Sequence, residues 1–245
     1  LSQLEALIFD VDGTLADTEA AHLAAFNHAF AAEGLAWRWD RALYTRLLEV
    51  SGGKERILHY WRQVAPGVSD ISGAGVRDTV DRLHTLKTAA YEQAVQDGAV
   101  CLRPGVLALV EQAGAAGLAL SIATTTSPVN IAALLRRAIG ADWRHLFAVV
   151  EDASTAPRKK PDPQVYLQTL RRLNLDARAG LAFEDSANGL QAARAAGLGV
   201  VVTPNEFTEH HDFSGALKVL PSLQDVNVMQ LQAWHAAAGL ERARC

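Results

Sequence analysis

Cysteine is nearly absent: Cys101 and Cys245 are the chain's two, and they form no metal-like or redox-like spacing. A disulfide framework is thereby excluded, and a reducing compartment fits. Surplus positive charge is missing as well. With 23 Lys and Arg against 27 Asp and Glu, a net charge of −4, the chain has no general attraction for nucleic acid or an anionic membrane surface, and neither is expected as a partner. Long apolar runs are also lacking. Gln112 to Leu135 carries no charge, but Gly114, Gly117, three successive threonines, Pro128 and Asn130 interrupt it, whereas a membrane span needs ~20 predominantly apolar residues. Leu1-Ser2-Gln3-Leu4-Glu5 has neither the basic start nor the small-residue cleavage site of a secretory signal, so a cytoplasmic location is expected. Disorder is excluded by composition, since 49% of residues are hydrophobic and 20% charged, the balance of an ordinary globular protein.

What is present is a chain of 245 residues, long enough for a full core with an insertion. Its apolar run Leu4 to Phe9 ends in Asp10-Val11-Asp12-Gly13-Thr14, which puts two carboxylates where a buried strand spills into a loop. Open α/β sheets bind ligands at that carboxyl edge, and Gly13 permits a sharp turn. An Asp-Gly hairpin is the plainer alternative. It is weakened because Leu15 to Ala32 carries helix formers at helical spacing and no second alternating strand. Helical periodicity then dominates to Ala99, with helices expected near Asp17 to Ala32, Asp40 to Val50, Lys54 to Val64 and Val76 to Asp97, broken by Gly34, Ser51-Gly52-Gly53 and Pro66-Gly67.

From Pro104 helix and strand alternate. Strands are expected at Leu118 to Ala123, Phe147 to Val150, Ala179 to Phe183 and Gly199 to Val202, and helices at Gly105 to Ala116, Pro128 to Ile139, Pro163 to Leu173 and Ala187 to Ala196. Ser127-Pro128 and Asp162-Pro163 read as caps before a proline at the first helical position. The expected fold class is α/β: a doubly wound, Rossmann-like parallel sheet core over 1–15 and 100–245, with a helical cap over 16–99 inserted after the first strand and able to close over the sheet edge.

Parallel strands would gather four polar segments at one edge: Asp10 to Thr14, Thr124 to Ser127, Arg158 to Pro161, and Glu184 to Ser186. Asp10, Asp12, Glu184 and Asp185 repel one another unless protonated or bridged by a cation. Mg²⁺ is the natural occupant of an oxygen-only set with no His or Cys nearby. Taken alone, Glu184-Asp185 reads first as a helix cap favoured by the macrodipole, and the pairing with Asp10 and Asp12 is what turns the reading toward a metal. Asp10 suits a nucleophile toward phosphorus. Asp12 suits an acid that protonates the leaving oxygen and then a base toward water. The Thr124 hydroxyl and Thr125 amide could hold the phosphoryl group, or simply cap a helix. Lys160 could neutralise it, or belong with Arg158 and Lys159 to an exposed basic loop, and spacing does not decide which lysine points inward.

In this order the segments Asp10-Val11-Asp12-Gly13-Thr14, Thr124 after Ile122-Ala123, Lys160-Pro161 and Glu184-Asp185-Ser186-Ala187-Asn188-Gly189 resemble the haloacid dehalogenase superfamily of phosphatases over essentially the whole chain. The resemblance implies Asp10 as nucleophile, Asp12 as acid/base, and Thr124 and Lys160 as phosphate ligands. It places Mg²⁺ on Asp10, the main-chain carbonyl of Asp12 and Asp185, with Glu184 behind them. Asp17-Thr18-Glu19, His22, Phe26-Asn27, Ser51 to Arg56, Val201-Val202-Thr203, Phe207-Thr208 and Asp212-Phe213 look most like the CbbY-type subgroup. That likeness implies removal of phosphate from xylulose 1,5-bisphosphate, an inhibitory by-product of Rubisco in the Calvin cycle.

A bisphosphate needs a second cationic pocket, for which the insert offers Lys54, Arg56 and Lys87, with Gly53 exposing amides at a helix N-terminus. Asp17 and Glu19 could bind sugar hydroxyls, and His22 lies one turn beyond Thr18 on the same face. The expected partner is a small sugar phosphate and the expected state a monomer. A sugar-phosphate mutase using the same aspartates and a silent binding module on the same fold stand as alternatives.

Overall fold

The computed structural model describes residues 3–65 and 73–242. The expected break at Pro66-Gly67, the cysteine at 245 and the first two residues lie outside them. The described chain divides into two compact units, Leu1–Asp17 with Cys101–Cys245, and Thr18–Val100.

The first unit is built on a parallel sheet. Strand β1 (Ala6–Phe9) is buried at all four positions, as a strand covered on both faces must be, and this is why its sequence is a continuous apolar run with no alternation. Among the described residues the sheet has six strands in the order β3-β2-β1-β4-β5-β6, with β2 (Ala119–Ala123), β3 (Val149–Glu151), β4 (Gly180–Glu184), β5 (Gly199–Val202) and β6 (Lys218–Val219). Every pairing is parallel. The chain runs outward from β1 through β2 to β3 and then returns to the other side of β1 to lay down β4. The strand order therefore reverses beside β1, the position where such sheets bind ligands. The register aligns Phe9 with Ile122 on one side and with Phe183 on the other, so Asp10, Ala123 and Glu184 leave the sheet abreast.

Helices α5 (Val106–Ala115), α6 (Pro128–Ala138), α7 (Gln164–Leu173) and α8 (Ala187–Ala195) join these strands. Ser127 caps α6 by accepting from Asn130 N at 3.3 Å, and Ser186 caps α8 by accepting from Gly189 N at 3.2 Å. Helix α7 begins one residue later than its proline suggests. Pro163 occupies the capping position, and the Asp162 carboxylate accepts from Gln164 N at 2.9 Å. On one side of the sheet Ile8, Ala182 and Val200 pack with Val165, Tyr166, Leu170 and Leu190; burial of each Leu, Ile or Val side chain is worth about 1.5–3 kcal/mol. Strand β6 and helix α9 (Val228–Arg242) were not among the expected elements.

The second unit holds α1 (Glu19–Ala32), α2 (Arg41–Leu47), α3 (Gly53–Val64) and α4 (Ala74–Gln96). Helices α1 and α4 pack on each other, and an aromatic cluster fills the centre, with Phe26 4.7 Å and Phe30 4.8 Å from the Trp39 ring. Asn27 fixes the approach to α2 by donating to Trp39 O and accepting from Trp39 N, both at 2.8 Å. No described helix is long and apolar enough to cross a membrane.

Candidate active site

Asp10 is the first residue past β1, held by its amide donating to Phe183 O at 3.0 Å, and its side chain is buried. Lys160 reaches it from the loop before α7. The Lys160 ammonium, also buried, donates to Asp10 Oδ1 at 2.6 Å, to Glu184 Oε1 at 2.6 Å and to the carbonyl of Ala123 at 2.9 Å. Three donors thus meet three acceptors from three adjacent strand ends. Of the two lysines that sequence spacing left undecided, Lys160 is the one inside.

Glu184, 0% exposed, ends β4. Its Oε1 also accepts from the hydroxyl of Tyr166, while its Oε2 has no hydrogen-bond partner. A Cβ on Gly189 would lie 1.9 Å from that oxygen, so the first turn of α8 can cover the carboxylate only because residue 189 is glycine. Asp185 stands next in the chain, its Oδ2 accepting from Asn205 Nδ2 at 2.8 Å. Asn205 is itself oriented, since its Oδ1 accepts from Phe207 N at 2.8 Å. Gly13 completes the packing: it has φ of +76°, and a Cβ there would sit 2.3 Å from Asp185 Oδ2, so both conformation and close approach require glycine.

Carboxylate oxygens of Asp10, Glu184 and Asp185 lie within 4.8 Å of one another, all three residues being buried. Burial foremost, with further repulsion from Glu184 and Asp12, pushes the Asp10 carboxyl up to about 7 against the pull of Lys160. Burial opposes the charge on Lys160, yet Asp10 and Glu184 beside it hold its ammonium above the ordinary lysine range. The Tyr166 phenol is raised well above its usual value by burial and then by Glu184. The residues fit a hard divalent cation: the donors are all oxygen, they sit close enough to demand neutralisation, and the orphaned Glu184 Oε2 leaves acceptor capacity unspent.

Asp12 lies half-buried in the loop two residues beyond Asp10. Thr124 is buried at the end of β2, its amide donating to Glu151 O at 3.1 Å and its hydroxyl oxygen accepting from Thr126 N at 3.3 Å. Thr125, next to it, is partly exposed. Asp17 is largely exposed and stands 3.3 Å from Arg103 Nε.

Within the helical unit several expected substrate residues converge on one ring: the Arg56 and Lys87 charges lie 5.9 and 5.2 Å from the centre of Phe26, and a Cβ on Gly53 would lie 3.6 Å from its Cζ. Glu19 accepts from the Tyr44 hydroxyl at 2.6 Å, and Arg56 donates to that same hydroxyl at 3.2 Å and to the carbonyls of Leu47 and Val50 at 3.1 and 3.2 Å. His22 and Lys87 are both buried, with Lys87 Nζ 2.8 Å from His22 Nδ1. Lys54 pairs with Asp81 at 2.6 Å on an exposed surface. At the N-terminus of α3 the Glu55 carboxylate folds back on the chain, so that a Cβ on Gly52 would lie 2.1 Å from its Oε2; Gly53 is the first residue of that helix.

Three residues of the core site were not visible to sequence reasoning. Tyr166 reads as a core aromatic of α7, and Asn205 reads as a loop residue. Arg103 reads as a lone cation before Pro104-Gly105, although its buried guanidinium donates to Gly13 O, Thr203 O and Pro204 O. A cation that precedes a rigid turn and has no acidic neighbour in sequence was the available signal.

Residues 4–197 match the family model described as haloacid dehalogenase-like hydrolase. The plasmid-encoded protein CbbY of Cupriavidus necator is 52% identical over 97% of this chain and 99% of its own length. Among solved structures, CbbY from Rhodobacter sphaeroides in complex with phosphate is 39% identical, with TM-score 0.85 over 93% of this chain and 99% of that one. A mutant of the same protein in complex with xylulose 1,5-bisphosphate is 38% identical, with TM-score 0.84 over 94% and 99%.

Proposed function

Since the chain belongs to the haloacid dehalogenase-like hydrolases and is an enzyme of the phosphatase kind, we propose that it hydrolyses a sugar phosphate through an aspartyl-phosphate intermediate with Mg²⁺ as cofactor. The preferred substrate is xylulose 1,5-bisphosphate, which would leave xylulose 5-phosphate. The observation that carries the reading is the Asp10 carboxylate: buried, held at 2.6 Å by Lys160 and clustered with Glu184 and Asp185.

Mg²⁺ bound by Asp10, Asp185 and the main-chain carbonyl of Asp12 would neutralise charge so that an ionised carboxylate can approach a phosphate. One Asp10 oxygen attacks phosphorus in line as the bond to the sugar oxygen breaks. Asp12 gives that oxygen its proton. Water then attacks the phosphorus of the aspartyl phosphate, Asp12 takes a proton from that water, and Asp10 leaves as a carboxylate. Lys160 offsets charge on the phosphoryl oxygens while Glu184 and Tyr166 keep its ammonium aimed at Asp10. The Thr124 hydroxyl and Thr125 amide donate to the same oxygens.

The choice of a bisphosphate is supported by the relative crystallised with xylulose 1,5-bisphosphate. We assign its second phosphate to Lys87 with His22, and to Arg56, Lys54 and the amide of Gly53. The sugar hydroxyls are assigned to Asp17 and Glu19.

Phosphate release measured across sugar mono- and bisphosphates tests the reading. Stoichiometric release from xylulose 1,5-bisphosphate that stops in EDTA is expected. Isomerisation of a sugar phosphate without release would show a mutase instead. Asp10→Asn is expected to lower turnover to background with the fold intact, and Asp12→Asn to lower kcat by about 10²–10⁴-fold.

A further inference from the structure

We propose that Arg103 is a positioning residue for the divalent-cation site, clamping the loop after β1 to the loop after β5 and thereby setting where the Asp185 carboxylate stands relative to Asp10. The inference rests on the reading of Asp10 and Asp185 as cation ligands.

The guanidinium is 7% exposed. Its Nη1 donates to Gly13 O at 2.5 Å, to Thr203 O at 2.5 Å and to Thr203 Oγ1 at 3.1 Å; Nη2 donates to Pro204 O at 2.8 Å and, at 3.5 Å, to Pro221 O. On its remaining side Nε faces Asp17 Oδ1 at 3.3 Å. The shorter bonds go to two segments far apart in sequence, Gly13 and Thr203–Pro204, and each of these leads directly into the acidic cluster. Gly13 follows Asp12, and the absent Cβ of Gly13 would fall 2.3 Å from Asp185 Oδ2 and 2.6 Å from Asn205 Nδ2. Thr203 and Pro204 precede Asn205, whose amide holds Asp185 Oδ2 at 2.8 Å. Gly13, Asp185 and Asn205 are therefore three mutually packed corners, and Arg103 ties two of them from behind.

Only a planar fork serves carbonyls in several fixed directions at once; an ammonium on a flexible stem cannot reproduce that geometry. Loss of the clamp frees the Gly13 turn and the Thr203–Asn205 segment to move independently, and a carboxylate shifted by a fraction of an ångström binds a small hard cation poorly.

Calorimetric titration of Mg²⁺ into the purified full chain tests this without recourse to turnover. Arg103→Lys is expected to weaken Mg²⁺ binding about 10–100-fold, the usual effect of losing a partner that orients metal ligands. Leu231→Ala, at a buried position of α9, is a control that lowers stability while keeping the wild-type affinity. Wild-type affinity in folded Arg103→Lys overturns the proposal and leaves the cation reading standing. A wild-type protein that takes up no Mg²⁺ overturns both. Should Arg103→Lys not fold, Thr203→Val decides: it removes one acceptor of the clamp, so affinity falls about 2- to 10-fold, and an unchanged affinity sinks the proposal.

Discussion

Asp10 and its neighbours show how one residue's chemistry is set by three others. In the protein without metal, burial raises the Asp10 carboxyl from 3.8 to about 7. The folded chain thus keeps a proton that the unfolded chain has already released between those values. The resulting stability is complete below pH 3.8 and is lost as the pH rises through about 7, because the folded state must then ionise a buried acid. Urea denaturation in EDTA is expected to show wild type losing stability across that window relative to Asp10→Asn, which has no such titration. Equal pH profiles would contradict the burial argument. Tyr166 supplies a second test at this scale. Its hydroxyl donates to a fully buried carboxylate, so Tyr166→Phe should cost about 1.5–3 kcal/mol by equilibrium unfolding. It should also slow turnover, by loosening Glu184 and with it the aim of Lys160.

Elements carry the site through their ends. The turn into α8 is the sharpest case: alanine is ordinarily about 0.8–1.0 kcal/mol better than glycine inside a helix, yet Gly189→Ala should destabilise the protein. Its Cβ would fall 1.9 Å from Glu184 Oε2, and Glu184 cannot swing away while Lys160 and Tyr166 hold its other oxygen. A shift of thermal midpoint downward checks this; a rise to the helix-propensity value would refute it. The same elements explain what was legible in the sequence. Strands β1, β2, β4 and β5 are buried on both faces and announce themselves as apolar runs bounded by Gly, Thr or acidic residues. Strand β6 is two exposed residues with no pattern to detect. Helix α9 does carry a cap, Asn227 Oδ1 accepting from Gln230 N at 3.0 Å while Gln230 Oε1 accepts from Asn227 N at 2.9 Å, but Asn227 and Gln230 are not read as one from the sequence. Asp10, Glu184 and Asp185 could be grouped from sequence because each stands at or just past the end of a strand. Arg103 could not, because most of its partners are main-chain carbonyls 90 to 118 positions away, and a carbonyl leaves no trace in residue type.

For the whole molecule, all three carboxylates of the acidic cluster belong to the unit formed by Leu1–Asp17 and Cys101–Cys245, so cation binding should be a property of that unit's fold. By mass action, Mg²⁺ at 100 times its Kd should stabilise the folded state by about 2.7 kcal/mol. Calorimetric melting with Mg²⁺ and with EDTA checks the shift, and no shift in a protein that turns over only with Mg²⁺ would place the ion on the substrate instead. The account's central claim is that phosphorus is attacked first by Asp10 and only then by water. Hydrolysis of a sugar phosphate whose transferred phosphoryl group is isotopically chiral tests it most directly: two successive in-line displacements predict net retention of configuration at phosphorus, and inversion, the mark of direct attack by water, would contradict it.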